Sequence, residues 1–413
     1  VADAHADLER QHEAMLAAVE RLEEVERAFR ASGLRRELAD VMAALERLEV
    51  KEIPAAPPPD PSLVEAALRV RDAWARSHRA KLLPRLQEAL SLVLDEPRTE
   101  WRRPLPDVLA SLAAVFPLAG CTLLSLRSSF VRRSDVIDRL VVDEAGQCAP
   151  LYTIPALARA RRALVTGDVA QLPPVYVLDD RVDERLLRGL DAHAVEPFRM
   201  GASATTSAQA VAESRSVSQL ALVEHFRSQA PIVALASSWS GHTLDVRTPP
   251  RSLAHVSPAL YAPVIVRDVR GHGTRAIEGI VNESEAALAV ETVVSLVRDG
   301  VAPSDIAVLS PFVGQSVRIE RALFRRGLAG EDGALVRTVH KLQGGERRVV
   351  VFSVTATERR HLRWLSERPH LLHVATSRAQ DHLLVLINTS RAKDELLLAP
   401  LLAPEFRHAS GAW

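Results

Sequence analysis

Two adjacent carboxylates follow an apolar segment near the middle of the chain. Residues 140–142 read Leu-Val-Val, and Asp143 and Glu144 come directly after them. At the carboxyl end of a parallel strand, one carboxylate can bind Mg²⁺ while the next polarises a water molecule. An Asp-Glu pair alone is weak evidence, since solvated acids often follow strands. The preceding valines and the following Ala-Gly-Gln make the segment specific enough to predict a magnesium site.

A second polar segment, residues 166–174, also follows a short apolar run. It reads Thr-Gly-Asp-Val-Ala-Gln-Leu-Pro-Pro. Gly167 permits a tight turn, and the amide of Gln171 could sense a γ-phosphate by hydrogen bonding. The alternative interpretation is a plain Gly-Asp turn that ends at the Pro-Pro pair, and this segment alone does not decide between the two.

Together the two segments resemble motifs II and III of superfamily 1 DNA or RNA helicases, in the branch that includes senataxin and the nonsense-mediated-decay RNA helicase. Later segments follow the order of that family, and six matches in the family's order argue against chance. The later matches are residues 222–228 (LVEHFRS), 309–315 (LSPFVGQ), 338–346 (TVHKLQGGE) and 373–379 (HVATSRA).

The resemblance implies an α/β fold with two RecA-like P-loop NTPase domains, ATP and Mg²⁺ as cofactors, and single-stranded DNA or RNA as partner. Asp143 would bind the metal and Glu144 would orient the attacking water. Gln171, Arg227 and Arg378 would contact the γ-phosphate, and the arginines would stabilise transition-state charge. Further nucleotide-binding positions implied by the family are Gln147, Gly167, Asp168, Gln343, Gly344 and Glu346. The implied nucleic-acid track comprises Ser125, Ser310, Pro311, Gln315, Thr338 and His340.

The chain departs mildly from the family at several positions. His373 stands where motif VI usually begins with Asn, Phe312 replaces a more usual Tyr, and Gly345 stands where a polar residue is more common. Asn282 and Glu285, by contrast, match the family's "NxxEa" helix start. These departures leave Arg378 in place.

One departure concerns the phosphate-binding loop. Such a loop needs the pattern GxxxxGK[S/T], so that backbone N–H groups and a lysine surround the phosphates. None of the four lysines of the chain fits this pattern; they are Lys51, Lys81, Lys341 and Lys393. In the family the loop lies upstream of a helical stalk, and the chain starts at Val1 with its first methionine at Met15. We therefore expect the chain to begin after the loop; natural loss of the loop is the alternative.

The periodicity of apolar residues divides the chain into a helical part and an α/β part. Residues 1–112 read as the helical stalk that interrupts the first, incomplete RecA-like domain, with a proline-rich break near residue 53 and a helical region over 62–94. We expect the rest of that domain over 113–205, a linker over 206–218, the second RecA-like domain over 219–400 and a tail over 401–413. Short buried strands are predicted at 121–126, 140–142, 163–165, 306–309, 349–352 and 383–387.

Composition restricts the class of protein further. The chain has 413 residues, of which 47% are hydrophobic, and its formal net charge is zero. A neutral total argues against a purely electrostatic nucleic-acid binder, although a local basic groove remains compatible. Two cysteines without a CxxC pair exclude a four-cysteine zinc site and favour a reducing, cytoplasmic environment. No apolar run is long enough for a membrane span, and a monomer is the favoured oligomeric state.

Two rival functions stay open at this level. A helicase-like scaffold could hold nucleic acid without turnover, and a helicase module could sit inside a larger nuclease or defence protein. The sequence upstream of Val1 would discriminate, because a GxxxxGK[S/T] segment there supports the motor. The residue pattern does not separate DNA from RNA, since phosphate and stacking contacts serve both.

The missing loop generates a first prediction. The purified 413-residue chain should not hydrolyse ATP at a helicase-like rate, because it lacks the backbone cradle and lysine that neutralise the phosphates. Phosphate release should be measured with and without single-stranded nucleic acid. Nucleic-acid-stimulated turnover by this chain alone would contradict the expectation.

Overall fold

The computed structural model describes residues 61–94, 113, 116, 118–130, 134, 136–216, 218–330, 332–342 and 344–406. The chain divides into two compact units, of which the first comprises residues 1–167 and 174–219. The second comprises residues 168–173 and 220–413. Residues 168–173, directly after Gly167, therefore belong to the second unit, although the chain on either side of them belongs to the first.

The first described elements are two helices. Helix α1 spans Pro61–Ser77 and helix α2 spans Arg79–Leu94, with a break at His78. Pro61 is tolerated because the first turn of a helix leaves its N–H groups without partners in any case. The helical region predicted over 62–94 is confirmed. The helices expected within residues 1–50 lie outside the described residues.

The segment predicted as a strand over 121–126 is not one. Residues 123–125 form a turn, and a short helix α3 follows at Leu126–Ser129. The backbone N–H of Ser125 donates to the Thr122 hydroxyl at 3.2 Å and to the Thr122 carbonyl at 3.0 Å. Serine and threonine side chains that bond to nearby backbone compete with strand formation in this way. That strand prediction was wrong for this reason.

The first unit contains a parallel pair of short strands. Strand β1 spans Leu140–Val142 and pairs in parallel with β2 at Ala163–Val165, as the apolar runs predict. The further helices of this unit are α4 at Pro150–Leu157, α5 at Asp180–Leu187, α6 at Ala192–Val195 and α7 at Ala208–Arg215.

Helix α7 occupies the stretch for which a linker was predicted. Ser207 caps it, since its hydroxyl accepts a hydrogen bond from the Ala210 N–H at 3.1 Å. Ala208 packs with Val142 and Ala145 in a small buried cluster. The Ser/Ala/Thr-rich composition of this stretch thus reflects a capped, tightly packed helix, and the division between the units falls after Gln219.

The second unit is built on a five-stranded sheet in which every pairing is parallel. The strands of the unit are β3 at Glu224–His225, β4 at Asp245–Val246, β5 at Val264–Asp268, β6 at Gly273–Ala276, β7 at Gly279–Asn282, β8 at Ile306–Ser310, β9 at Leu335–Thr338, β10 at Arg347–Ser353 and β11 at Ala379–Ile387. The strand order in the sheet is β5-β11-β10-β8-β9, and the two-residue pair β3-β4 and the hairpin β6-β7 lie outside it.

Helices cover both faces of this sheet. Alternate residues of β10 serve the two sides, since Val350 and Phe352 join one buried cluster and Val349 and Val351 join the other. A central strand that is apolar on both faces is the signature of a parallel α/β sheet. The helices of the unit are α8 at Ala230–Ser240, α9 at Glu283–Arg298, α10 at Val313–Phe324, α11 at Arg359–Ser366, α12 at Pro369–Ser377 and α13 at Thr389–Ala392.

The second unit continues past the position at which a tail was expected. A 3-10 helix spans Leu396–Leu402, and Leu398, Leu401 and Leu402 are buried in the cluster that contains Phe352. Apolar leucines at this spacing can be buried only against an existing core, so residues up to 402 form part of the domain.

Candidate nucleotide and nucleic-acid site

The predicted acidic pair lies at the carboxyl end of β1, in a backbone turn that brings its groups together. Glu144 has φ of 53°, in the left-handed region that residues other than glycine rarely adopt. The Glu144 N–H donates to the Asp143 carboxylate at 3.0 Å, and the Gln147 amide donates to the Glu144 carboxylate at 2.8 Å. Both acids are exposed. An exposed carboxylate held by its own backbone suits a hard cation such as Mg²⁺, which prefers oxygen ligands and retains waters.

Gly167 lies against this acidic turn. A side-chain carbon at Gly167 would stand 2.6 Å from the Gly146 nitrogen and 2.9 Å from the Ala145 nitrogen. The Ala145 N–H donates to the Thr166 carbonyl at 2.9 Å. Glycine is therefore required here for close backbone approach, and the contact aligns the ends of the two strands of the first unit.

The segment after Gly167 packs into the second unit. Asp168 accepts hydrogen bonds from the Ala170 N–H at 2.8 Å and from the Gln171 amide at 3.3 Å. Leu172 is 2% exposed and belongs to the core cluster of the second unit. Gln171 is thus half-buried, with its amide turned onto Asp168.

Two histidines face Asp168 within the second unit. The Asp168 carboxylate lies 3.6 Å from Nε2 of His242 and 3.9 Å from Nε2 of His373. Burial lowers the pKa of His373, even though its contact with the Ala236 carbonyl and the charge of Asp168 act in the opposite direction. His373, the residue that departs from the family's usual Asn, therefore packs here as a buried ring at the start of the motif VI-like segment.

Arg227 and Arg378 meet at Ser377. Arg227 donates to the Ser377 carbonyl at 3.3 Å, and Arg378 donates to the Ser377 hydroxyl at 3.1 Å. The second arginine also donates to the carbonyls of Val374 at 3.2 Å and Gly345 at 3.4 Å. The two residues are thus neighbours although they stand far apart in sequence. Arg378 is 3% exposed, whereas the Arg227 side chain is 39% exposed.

Glu346 adds a carboxylate beside the two arginines. It lies 3.1 Å from the Arg227 guanidinium and accepts a hydrogen bond from the Gln380 amide at 2.8 Å. Gly344 has φ of 76°, which requires glycine, and it precedes this group in the chain. Gln343 lies outside the described residues.

Most of the candidate nucleic-acid residues lie at one edge of the sheet. Ser310 ends β8 and Thr338 ends β9, and because the strands are parallel neighbours their carboxyl ends lie side by side. His340 is exposed just beyond β9. Ser125 belongs to the first unit and is exposed at the start of α3.

Several of these residues are buried. Ser310 is 1% exposed and its hydroxyl accepts from the Phe312 N–H at 3.2 Å; Pro311 and Thr338 are buried as well. Gln315 is fully buried, where its amide accepts from the Asn282 N–H at 2.9 Å and donates to the Ser353 hydroxyl at 3.0 Å. The sequence match gave Gln315 a binding role, but the structure engages its side chain internally.

A buried carboxylate organises this edge, and sequence reasoning did not include it among the site residues. Glu285 is 0% exposed and accepts hydrogen bonds from the Ser353 hydroxyl at 2.7 Å, the Thr355 N–H at 2.7 Å and the Asn282 amide at 3.0 Å. Thr355 has φ of 65°, a strained value for a β-branched residue. The Ser310 hydroxyl contacts the Thr355 hydroxyl at 3.1 Å. The "NxxEa" match was the available signal, but it gave no partner for the acid.

No group of three or more His, Cys, Asp or Glu side chains in the described part of the chain has metal-binding geometry. No described helix is long and apolar enough to cross a membrane.

Comparison with known proteins gives two matches to families described as AAA domain, over residues 75–178 and 205–390. The human 3'-5' exoribonuclease HELZ2 is 29% identical over 291 residues, 64% of this chain and 9% of that protein. The Saccharomyces cerevisiae ATP-dependent helicase NAM7 is 25% identical over 263 residues, 60% of this chain and 25% of that protein. The rat DNA-binding protein SMUBP-2 is 25% identical over 281 residues, 65% of this chain and 26% of that protein.

The match over residues 75–178 contains the motif-like segments at 140–147 and 166–174. The match over residues 205–390 contains those at 222–228, 309–315, 338–346 and 373–379. The chain belongs to the superfamily 1 helicases, in the branch that includes NAM7 and SMUBP-2. It spans between 9% and 26% of the length of the three relatives described above.

The buried carboxylate generates a prediction about stability and pH. Burial raises the pKa of Glu285 from 4.5 to about 7, although its three hydrogen bonds act in the opposite direction. Between those values the folded chain binds a proton that the unfolded chain has released. The contribution of Glu285 to stability should therefore be fully present at low pH and fall by roughly 3 kcal/mol as pH rises through this window. Glu285→Gln should remove that contribution, as measured by urea unfolding at pH 5 and pH 8.

The comparison between the two proteins isolates Glu285, because all other titrating groups are shared. Glu285→Ala is the companion variant, which leaves the Ser353 and Thr355 donors without an acceptor and should be less stable at both pH values by roughly 2–4 kcal/mol. Identical pH slopes for the wild type and Glu285→Gln would show that Glu285 does not titrate in this window.

Proposed function

We propose that the chain forms most of the motor of an ATP-dependent helicase or translocase that acts on single-stranded DNA or RNA. The observation that carries the proposal is the meeting of Arg227 and Arg378 at Ser377. The two arginines come from independent motif-like segments, and their proximity was not used to select them. Two adjacent cations are suited to the negative charge that develops on a transferred phosphoryl group.

The hydrogen-bond acceptors that hold Arg378 support this role. Arg378 is held by the carbonyls of Val374 and Gly345. Neutral carbonyl oxygens orient a guanidinium without cancelling its charge. Arg227 is the more exposed of the two and has Glu346 beside it. We propose that Arg227 exchanges this carboxylate for a phosphate when nucleotide is bound.

The acidic turn of the first unit would act on Mg²⁺ and water. Asp143 is the residue proposed to hold the metal, which when bound would neutralise phosphate charge. Glu144 would hold and orient the attacking water, and the Gln147 amide fixes its carboxylate. Gln171 is proposed to contact the γ-phosphate. Gly167, Asp168, Gln343, Gly344 and Glu346 are proposed as further nucleotide-binding positions.

The nucleic-acid track is proposed for the carboxyl edge of the second unit's sheet. Thr338 and His340 follow β9, and Ser310 and Pro311 follow β8. Because Ser310 and Thr338 are buried, their part is to set the backbone that meets phosphates, while exposed His340 can contact the strand directly. Ser125 is proposed for the first unit. We leave Gln315 out of the track because its side chain is committed to Asn282 and Ser353.

The names of three relatives describe activities that fit this proposal. NAM7 is named an ATP-dependent helicase and SMUBP-2 a DNA-binding protein. HELZ2, named an exoribonuclease, keeps open the proposal that the motor serves a larger nuclease. A scaffold without turnover is the alternative, and a GxxxxGK[S/T] segment upstream of Val1 would argue against it.

A carboxylate variant tests the proposed water-orienting group. In the complete protein, Glu144→Gln should abolish nucleic-acid-stimulated turnover while ATP binding is largely kept, because Asp143 remains. Steady-state phosphate release and equilibrium binding of a fluorescent ATP analogue measure the two quantities. Normal turnover by the variant would remove Glu144 from this role, and absence of turnover in the unmodified complete protein would favour the scaffold.

The arginines give a second test in the complete protein. Arg378→Ala and Arg227→Ala should each lower kcat by about 10³, the scale of other transition-state arginines. Arg325→Ala is a matched control, since Arg325 is an exposed arginine at the end of α10. Thermal melting separates loss of fold from loss of catalysis, which matters for buried Arg378. Full turnover by a folded Arg378→Ala variant would refute the assignment.

A further inference from the structure

The β6-β7 hairpin projects from the carboxyl edge of the second unit's sheet. The two strands pair in antiparallel register from Gly273 opposite Asn282 to Ala276 opposite Gly279. This register leaves Ile277 and Glu278 as a two-residue turn. The hairpin follows β5 and leads directly into α9, so it starts at the same edge of the sheet as Ser310.

Close backbone contacts hold one strand of the hairpin against the loop that follows β10. The Gly273 N–H donates to the Thr357 hydroxyl at 2.7 Å. A side-chain carbon at Gly273 would stand 2.8 Å from the Thr355 carbonyl oxygen. This strand therefore packs against Thr355, whose N–H donates to the Glu285 carboxylate.

The other strand packs against the start of α10. A side-chain carbon at Gly314 would lie 2.9 Å from the Gly279 carbonyl carbon and 3.0 Å from the Ile280 oxygen. The Glu278 carboxylate lies 2.5 Å from the Arg321 guanidinium. Gly314 stands three residues after Pro311 of the proposed track, so the hairpin packs directly beside that track.

The tip of the hairpin is apolar and fully exposed. Ile277 has 103% relative exposure, more than any other exposed large apolar residue of the described part of the chain. Two-residue turns are normally occupied by Gly, Asn, Asp or Ser, because these residues suit the backbone conformation of a tight turn. Isoleucine has no such conformational advantage. Arg275, two residues earlier, is also exposed. An apolar tip with a neighbouring cation on a rigid support indicates a ligand with a flat apolar face and negative charge.

We propose that this tip is a further nucleic-acid contact, in which Ile277 packs on a base of the single strand and Arg275 binds a phosphate. The inference rests on the proposed function and extends it to residues outside the family's motifs. Apolar side chains contact bases and basic ones contact phosphates in this way. A protein partner fits less well, because a stable interface buries about 800 Å² on each side and one projecting residue cannot supply that area.

The test uses the 413-residue chain and fluorescein-labelled oligo(dT) and oligo(U), with affinity measured by anisotropy over a range of salt concentrations. Ile277→Asp should weaken binding about tenfold, the loss expected for one base contact. Arg275→Ala should weaken binding and reduce the salt slope by about one. Leu396→Asp is the matched control, since Leu396 is 89% exposed on the same unit, and its affinity should not change.

A photo-crosslinking residue at position 277 adds a direct readout, with the same residue at position 396 as its control. Crosslinking to the oligonucleotide at 277 and not at 396 is the expected result. Unchanged affinity of Ile277→Asp together with no crosslink at 277, in a chain that binds oligonucleotide, overturns the hairpin contact and leaves the proposed function standing. Failure of the unmodified chain to bind either oligonucleotide overturns both.

Discussion

A buried, negatively ionisable side chain is the constraint on which the carboxyl edge of the second unit depends. Glu285 stands in the first turn of α9 and receives hydrogen bonds from residues at the end of β10 and from the cap of its own helix. Gln315 connects the same groups to α10. Because a buried polar group without partners is costly, each member of this network fixes the others. This network holds the left-handed backbone of Thr355 and the position of Ser310. The β6-β7 hairpin in turn packs against Thr355.

The arginine pair shows a different way to hold a charge. The guanidinium of Arg378 is oriented by main-chain oxygens from two segments, the end of α12 and the turn before β10. These oxygens belong to the backbone on either side of the sheet strands, so the fold itself holds the guanidinium in place. Preorganised charge of this kind requires little rearrangement when a phosphate arrives. Arg227 and Glu346 form the adjustable part of the same group.

Sequence reasoning recovered those features that depend on local pattern. The run ending at Ile387 is a strand whose apolar residues are buried on both faces. The runs ending at Val142 and Val165 are strands as well, although Val141 and Leu164 are exposed. It failed at 121–126, where hydroxyl side chains bond to the backbone. It did not foresee that the stretch over 206–218 contains a serine-capped, alanine-rich helix. It missed β5, β9 and the hairpin. It could not place Gln315 inside, since the partners of a buried amide come from distant strands and have no sequence spacing.

The strand order has a consequence for how the second unit is made. Among the strands of the described residues, β5 pairs in the sheet with β11 alone, and β11 is the last of them along the chain. During synthesis, β5 therefore waits without a pairing partner until more than a hundred further residues have been added. Folding dominated by such distant pairings is slow, because chain entropy is lost before the contacts form. Until then the apolar residues of β5 are exposed to chaperones and to other chains, so a ribosome that stalls before β11 releases an aggregation-prone product.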